Sequence, residues 1–137
     1  MSVIVTDSGF AADDWQGEIS PLAALADRPE ARAVALAAEA DPAALAGRLH
    51  GLALIVVRFA AYADGRGFTL GRRLRLAGYA GRLRAAGPLI ADQYAMARRA
   101  GFDEVEIPDE IAARQPEEQW RFRADWRAHD YRSRLRA

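Results

Sequence analysis

The segment Leu52–Phe59 (Leu-Ala-Leu-Ile-Val-Val-Arg-Phe) restricts the fold more than any other part of the chain. Apart from Arg58 it is apolar at odd and even positions alike, so as a strand it presents apolar side chains to both faces of a sheet. Such a strand belongs in the interior of a sheet covered on both sides, the habit of parallel sheets with crossover helices. The chain beyond Phe59 keeps the matching rhythm. Asp64-Gly65-Arg66-Gly67 is a loop, and Phe68 to Leu76 places Leu70, Leu74 and Ala77 on one helical stripe before Gly78 closes it. Leu83 to Ala85 is a short strand, Gly87-Pro88 opens a loop, and Ile90 to Ala100 is a helix with Ile90, Tyr94 and Ala97 on its inner stripe. Gly101 caps that helix and Val105 to Ile107 returns as a strand. Upstream, Ala33 to Ala37 is a weaker strand. Asp41-Pro42 then starts a helix with Leu45 and Leu49 on one face and Gly51 at its end. The expected fold class is α/β, a small parallel sheet of four strands built from alternating strand–helix units. A flavodoxin-like and a partial (β/α)-barrel-like arrangement both satisfy that pattern.

A chain of 137 residues suits one domain. Within it, 1–30 reads as an N-terminal arm, 31–108 as the α/β core, and 109–137 as an acidic segment followed by an Arg/Trp-rich C-terminal helix. In the arm Val3-Ile4-Val5 could form a short strand, but Gly9, Gly17, Pro21 and Pro29 interrupt the rest. The C-terminal helix from Pro116 would carry Trp120, Ala124, Arg127 and Tyr131 on one stripe. Cysteine and lysine are both absent, which excludes disulfides, thiolate catalysis, cysteine-held iron–sulfur clusters and Schiff-base lysines in this chain. No cofactor is implied. His50 and His129 stand apart with nothing at ligand spacing beside them, so no metal site is expected. No apolar run reaches the ~18–20 residues of a membrane-spanning helix, and no basic-then-apolar leader opens the chain. A cytoplasmic protein is the expectation.

The net charge of zero is unevenly spread. Between Arg58 and Arg99 there are nine arginines against Asp64 and Asp92; from Asp103 to Glu118 there are seven acids against Arg114; from Arg121 the chain is basic again. Guanidinium forks match the oxygens of carboxylate, sulfate and phosphate, so the first of these stretches suggests an anion-binding rim. The loops Asp64–Gly67 and Gly87–Gln93 both follow strands and therefore lie at the carboxyl end of the sheet, where α/β folds take ligands. The candidate ligand residues are Asp64, Gly65, Arg66, Gly67, Arg84, Asp92 and Gln93, with Asp64 the candidate catalytic acid or base. Against this, Asp-Gly is above all a turn signal, and Asp64 can simply cap the helix while Arg66 pairs with it. Gly-Arg-Gly lacks the third glycine of a dinucleotide loop, and a phosphate loop of the Walker type needs lysine. The aromatics Trp120, Phe122, Trp126 and Tyr131 among arginines fit a packing helix better than a nucleic-acid surface, because the whole chain is not basic.

The ordered series Ala63-Asp64-Gly65-Arg66-Gly67-Phe68-Thr69, Gly78-Tyr79, Gly81, Leu83-Arg84-Ala85, Gly87, Asp92-Gln93, Arg99 and Gly101-Phe102-Asp103 resembles the bacterial family called domain of unknown function 934. The resemblance extends to Asp13-Asp14-Trp15, Asp41-Pro42-Ala43 and Leu52-Ala53-Leu54-Ile55. This chain departs from the family pattern at Ala63 and Thr69, at Arg82 where an acid is common, and at Pro88 where aspartate is frequent. The resemblance implies a place beside sulfite reductase in assimilatory sulfate reduction and cysteine biosynthesis, through gene neighbourhood. The expected function is an accessory protein of that pathway that binds a small anion or anionic cofactor, with sulfite reductase or another sulfate-assimilation enzyme as partner. The alternatives are a non-catalytic subunit docking on the reductase and an enzyme acting on a small anionic substrate. An oxidoreductase label would rest on neighbourhood alone.

Overall fold

Four strands lie side by side in chain order and all parallel: β4 (Ala33–Ala37), β5 (Leu54–Arg58), β6 (Arg82–Ala86) and β7 (Glu104–Pro108). These are the strands expected from the sequence. The computed structural model describes residues 1–61 and 64–124. β1 (Ser2–Thr6) contains the short strand expected at Val3-Ile4-Val5, and β2 (Gly9–Ala11) and β3 (Ser20–Pro21) are added, giving the sheet order β2-β1-β7-β6-β5-β4-β3. β3 pairs parallel with β4, whereas β1 runs antiparallel to both β7 and β2. Residues 1–30 thus supply both edges of the sheet, where the sequence suggested an arm. The order never reverses along β3 to β7, so the sheet is wound in one direction like a section of a barrel. Among the described residues it has no switch point of the flavodoxin kind.

Winding in one direction puts the connections between β3 and β7 on one face of the sheet. The helices there are α1 (Arg66–Leu76), α2 (Tyr94–Ala100), α3 (Asp109–Arg114) and α4 (Glu117–Arg123). Leu70 and Leu74 of α1, Tyr94 and Ala97 of α2 and Trp120 of α4 meet Ile55, Val57, Leu83, Val105 and Ile107 of the strands in the main core. α1 approaches the sheet closely because Gly67 and Gly71, one turn apart, face aromatic rings. A Cβ on Gly67 would overlap the ring of Phe59, and one on Gly71 would stand 2.5 Å from that of Phe102. Those two rings pack edge to face at 6.1 Å, and Phe68 leans on Phe59 at 5.0 Å. The helix expected from Asp41 is cut short. Asp41 Oδ1 accepts the Ala43 N–H at 2.9 Å as a cap should. Yet the chain makes only a 3-10 turn over Pro42–Leu45, bends at Gly47 (φ +81°), and makes another over Leu49–Gly51.

The second face carries no helix among the described residues. Residues 12–19 lie across part of it, with Trp15 and Ile19 packed on Ala33, Leu54, Val56 and Ala86. The Trp15 indole N–H is buried there without a partner among the described residues. Polar anchoring comes from strand parity. Arg82 and Arg84 alternate with Leu83 on β6, and Glu104 and Glu106 alternate with Val105 on β7, so all four point to this face. The Arg84 Nε–H donates to Glu104 Oε2 at 2.6 Å, its Nη1 to Glu106 Oε1 at 3.1 Å, and its two Nη groups grip Asp13 at 3.0 and 3.1 Å. Arg82 holds Glu104 with two bonds of 2.9 Å and Asp14 with one of 2.6 Å. Two arginines and four carboxylates therefore clip the segment to the sheet.

The clip makes the segment acid-sensitive. The hydrogen bond from Arg84 holds the Asp13 carboxyl below its ordinary value of 3.8, against the opposing effect of burial, and Arg82 does the same for Asp14. A group whose pKa is lower folded than unfolded stabilises fully above the unfolded value and loses that contribution as pH falls through the folded one. Residues 12–19 are therefore expected to stay docked at neutral pH and to lift only below about pH 3.8. The Trp15 indole resonance in an acid titration reads this. Release near pH 6 would show that these carboxylates do not hold the segment.

Candidate functional site

Arg58 is the last residue of β5, and its parity turns it to the second face, where its strand neighbours are Ala37 and Ala86. Those alanines are too small to cover it, and it is exposed. Among the described residues its side chain has no hydrogen-bond or ion-pair partner. It stands at the carboxyl ends of the parallel strands, between two clefts. The first, about 460 Å³, runs over the ends of β5, β6 and β7 and is walled by Phe59, Gly87, Pro88, Pro108, Ser2 and Glu106. The second, about 390 Å³, lies over the ends of β4 and β5 between Pro21, Ala37, Glu39, Ala60 and Asp64. Arg58 and Phe59 line both.

Gly87 shapes the first cleft. Its φ of +144° suits glycine, and its Cα sits so near the Phe59 carbonyl oxygen that a Cβ would overlap it. Glu106 shows one edge to this cleft, but its carboxylate is already engaged, by Arg84 and by the Ser2 hydroxyl at 2.8 Å. Arg58 is the cation left over. Its chemistry is that of a fork that accepts one carboxylate, sulfite, sulfate or phosphate group.

Of the residues expected from sequence, Asp64 reaches this rim. Its Oδ1 accepts the Arg66 backbone N–H at 3.2 Å and the Arg66 Nε–H at 3.0 Å, so it pairs with Arg66 just ahead of α1, where Gly65 is the N-cap. The bond from Arg66 holds its carboxyl below the usual aspartate range, and the same contact raises the Arg66 guanidinium, with a smaller push from the charge of Glu39. A carboxyl with a lowered pKa is poorly matched to proton transfer near neutrality. Gly65, with φ −67° and open space around it, begins the helix without constraint. Gly67 makes no left-handed turn, and its Cα faces the Phe59 ring.

The other expected residues lie elsewhere. Arg84 is wholly buried in the ion cluster of the second face, its donors taken by Asp13, Glu104 and Glu106, so it is not free to hold a ligand on the rim. Asp92 pairs with Arg123 at 2.7 Å, and Gln93 Oε1 accepts the Ile90 N–H at 3.0 Å, both at the start of α2. Much of the arginine excess is likewise structural. Arg75 donates to the carbonyls of Gly101, Tyr79 and Gly81 and pairs with Asp103, and Arg98 pairs with Asp7. Sequence reasoning passed over Arg58 as a ligand residue. The signal was there, since it is the one charge in an otherwise apolar strand.

Trp120 is fully buried and donates its indole N–H to the Gln115 carbonyl at 3.0 Å, as a packing residue does. His129, Asp130, Trp126, Arg127 and Tyr131, and Ala63 of the motif, lie outside the described residues. Among the described residues no group of three or more His, Asp or Glu side chains could hold a metal ion, and no helix is long and apolar enough to cross a membrane.

No curated protein and no solved structure matches the chain. A family model does, over residues 33–136, taking in β4 to β7, the four helices and both clefts' central residues Arg58 and Phe59. The matched stretch contains the Asp-Gly-Arg-Gly loop and the glycine-closed units after it. The chain belongs to the family described as bacterial protein of unknown function, DUF934.

Proposed function

We propose that the protein is an accessory protein of assimilatory sulfite reduction that holds a small anionic group at Arg58, on the carboxyl ends of β5 and its neighbours. The observation that carries the anion reading is the position of Arg58, a cation without an ion-pair partner among the described residues, set between two clefts. The pathway comes from what the family resemblance implies. Binding is favoured over catalysis because the candidate acid or base, Asp64, is kept ionised by Arg66.

Calorimetry with sulfite, on the wild type and on Arg58→Gln, tests the ligand half. Loss of a hydrogen-bonded charge pair of about 1.5–3 kcal/mol predicts at least about a tenfold fall in affinity for the variant. No saturable binding by the wild type, or equal binding by both proteins, would rule out Arg58 as the ligand residue. Growth of a deletion strain tests the pathway half. Rescue by cysteine but not by sulfite is expected, and unimpaired growth on sulfate would overturn it.

A further inference from the structure

The cleft over β4 and β5 holds a second charge outside any ion pair among the described residues, Glu39, whose field reaches Arg66. Four charged side chains stand on this rim: Arg58, Arg66, Glu39 and Asp64. Asp64 and Arg66 satisfy each other at 3.0 Å. That leaves Arg58 and Glu39, both exposed, both lining the same cleft of about 390 Å³, and neither in an ion pair with the other or with another described residue. Strand register explains the spacing. Arg58 is level with Ala37 on β4, and Glu39 follows two residues later, beyond the end of the strand. The two charges thus flank the mouth of one cleft whose walls are small or apolar: Pro21, Ala35, Ala37 and Ala60.

A purely anionic ligand on Arg58 leaves Glu39 without a partner, and a polyanion would place further negative charge beside the Glu39 and Asp64 that line the same cleft. A molecule with opposite charges a few bonds apart meets neither penalty. We propose that this cleft takes a small zwitterion of the α-amino acid class, its carboxylate on the Arg58 guanidinium and its ammonium on the Glu39 carboxylate. The small walls leave room for a short side chain, and the remaining charge that lines the cleft, Asp64, is already bonded to Arg66. This inference rests on the reading of Arg58 as the ligand-holding cation and adds the residue that chooses among its ligands.

Calorimetry with glycine, L-alanine, acetate and sulfite on the wild type, Arg58→Gln and Glu39→Gln separates the two claims. Both substitutions are at exposed positions and close in shape, and a melting curve for each verifies the fold. Glycine and L-alanine are expected to bind the wild type at least about tenfold more tightly than acetate, the worth of one additional charge-assisted bond. Glu39→Gln should remove that advantage while leaving acetate and sulfite unchanged or tighter; Arg58→Gln should weaken all four. If glycine binds no better than acetate, or Glu39→Gln leaves glycine unaffected, the zwitterion is overturned, although Arg58-dependent sulfite binding would still stand. If none of the four binds, both readings fall.

Discussion

Replacing Arg84 with alanine is expected to destabilise the fold by about 3–5 kcal/mol, the cost of removing one partner from a buried ion cluster. The Arg84 side chain is 0% exposed and that of Glu104 is 7% exposed, so the substitution leaves a carboxylate with little access to water. Arg82 remains beside Glu104 but already spends two of its bonds there. Asp13 loses both of its bonds to Arg84, which frees the segment over the second face. Urea denaturation measures the loss. Pairing Arg84→Met with Glu104→Leu should recover much of it, since an apolar pair of similar volume removes the stranded charge. A loss under about 1 kcal/mol, the level of an exposed pair, would mean that water already reaches the cluster.

Gly67→Ala is the second large effect, expected to cost about 1–3 kcal/mol as overpacking. The backbone there is ordinary helix, so strain in φ is not the cause. The added methyl meets the Phe59 ring, which is pinned between Phe68 and Phe102 and cannot swing away freely. Gly65, two residues earlier, has open space and a φ of −67°, and Gly65→Ala should stay within about 0.5 kcal/mol of the wild type. Thermal melts of the two variants decide it. Equal effects would show that the loop's glycines serve backbone freedom and not the seating of α1.

The contrast shows what local sequence can carry. β4 to β7 were legible because each is a short stretch built around apolar residues and the later ones are set off by glycine turns: Gly78, Gly87 and Gly101 all have φ above +100°. Of the strands in the first 30 residues only β1 was legible, as the run Val3-Ile4-Val5. β2 and β3 have three and two residues, too few for periodicity, and β1 gains its place by pairing Val5 with Val105 far along the chain. The strand-end location of the candidate site was legible from topology, but Arg84 shares the face of Arg58 and lies in the middle of β6, buried in its ion cluster. Arg82-Leu83-Arg84 beside Glu104-Val105-Glu106 is an alternating pattern of opposite charge on neighbouring strands, which reads as a cross-strand ion network. Arg58 was hidden for the opposite reason, because an apolar strand draws the eye to burial and its terminal charge looks incidental. Glu39 has no motif around it. It joins the site only through the register that sets Ala37 beside Arg58.

A ligand held at Arg58 and one held in the Asp-Gly-Arg-Gly loop would leave different traces in a backbone amide resonance titration with sulfite. Binding at Arg58 predicts saturable shifts concentrated at Arg58, Phe59 and Gly87, the residues around the strand ends, and their loss in Arg58→Gln. Shifts centred on Gly65, Arg66 and Gly67 that persist in Arg58→Gln would contradict it.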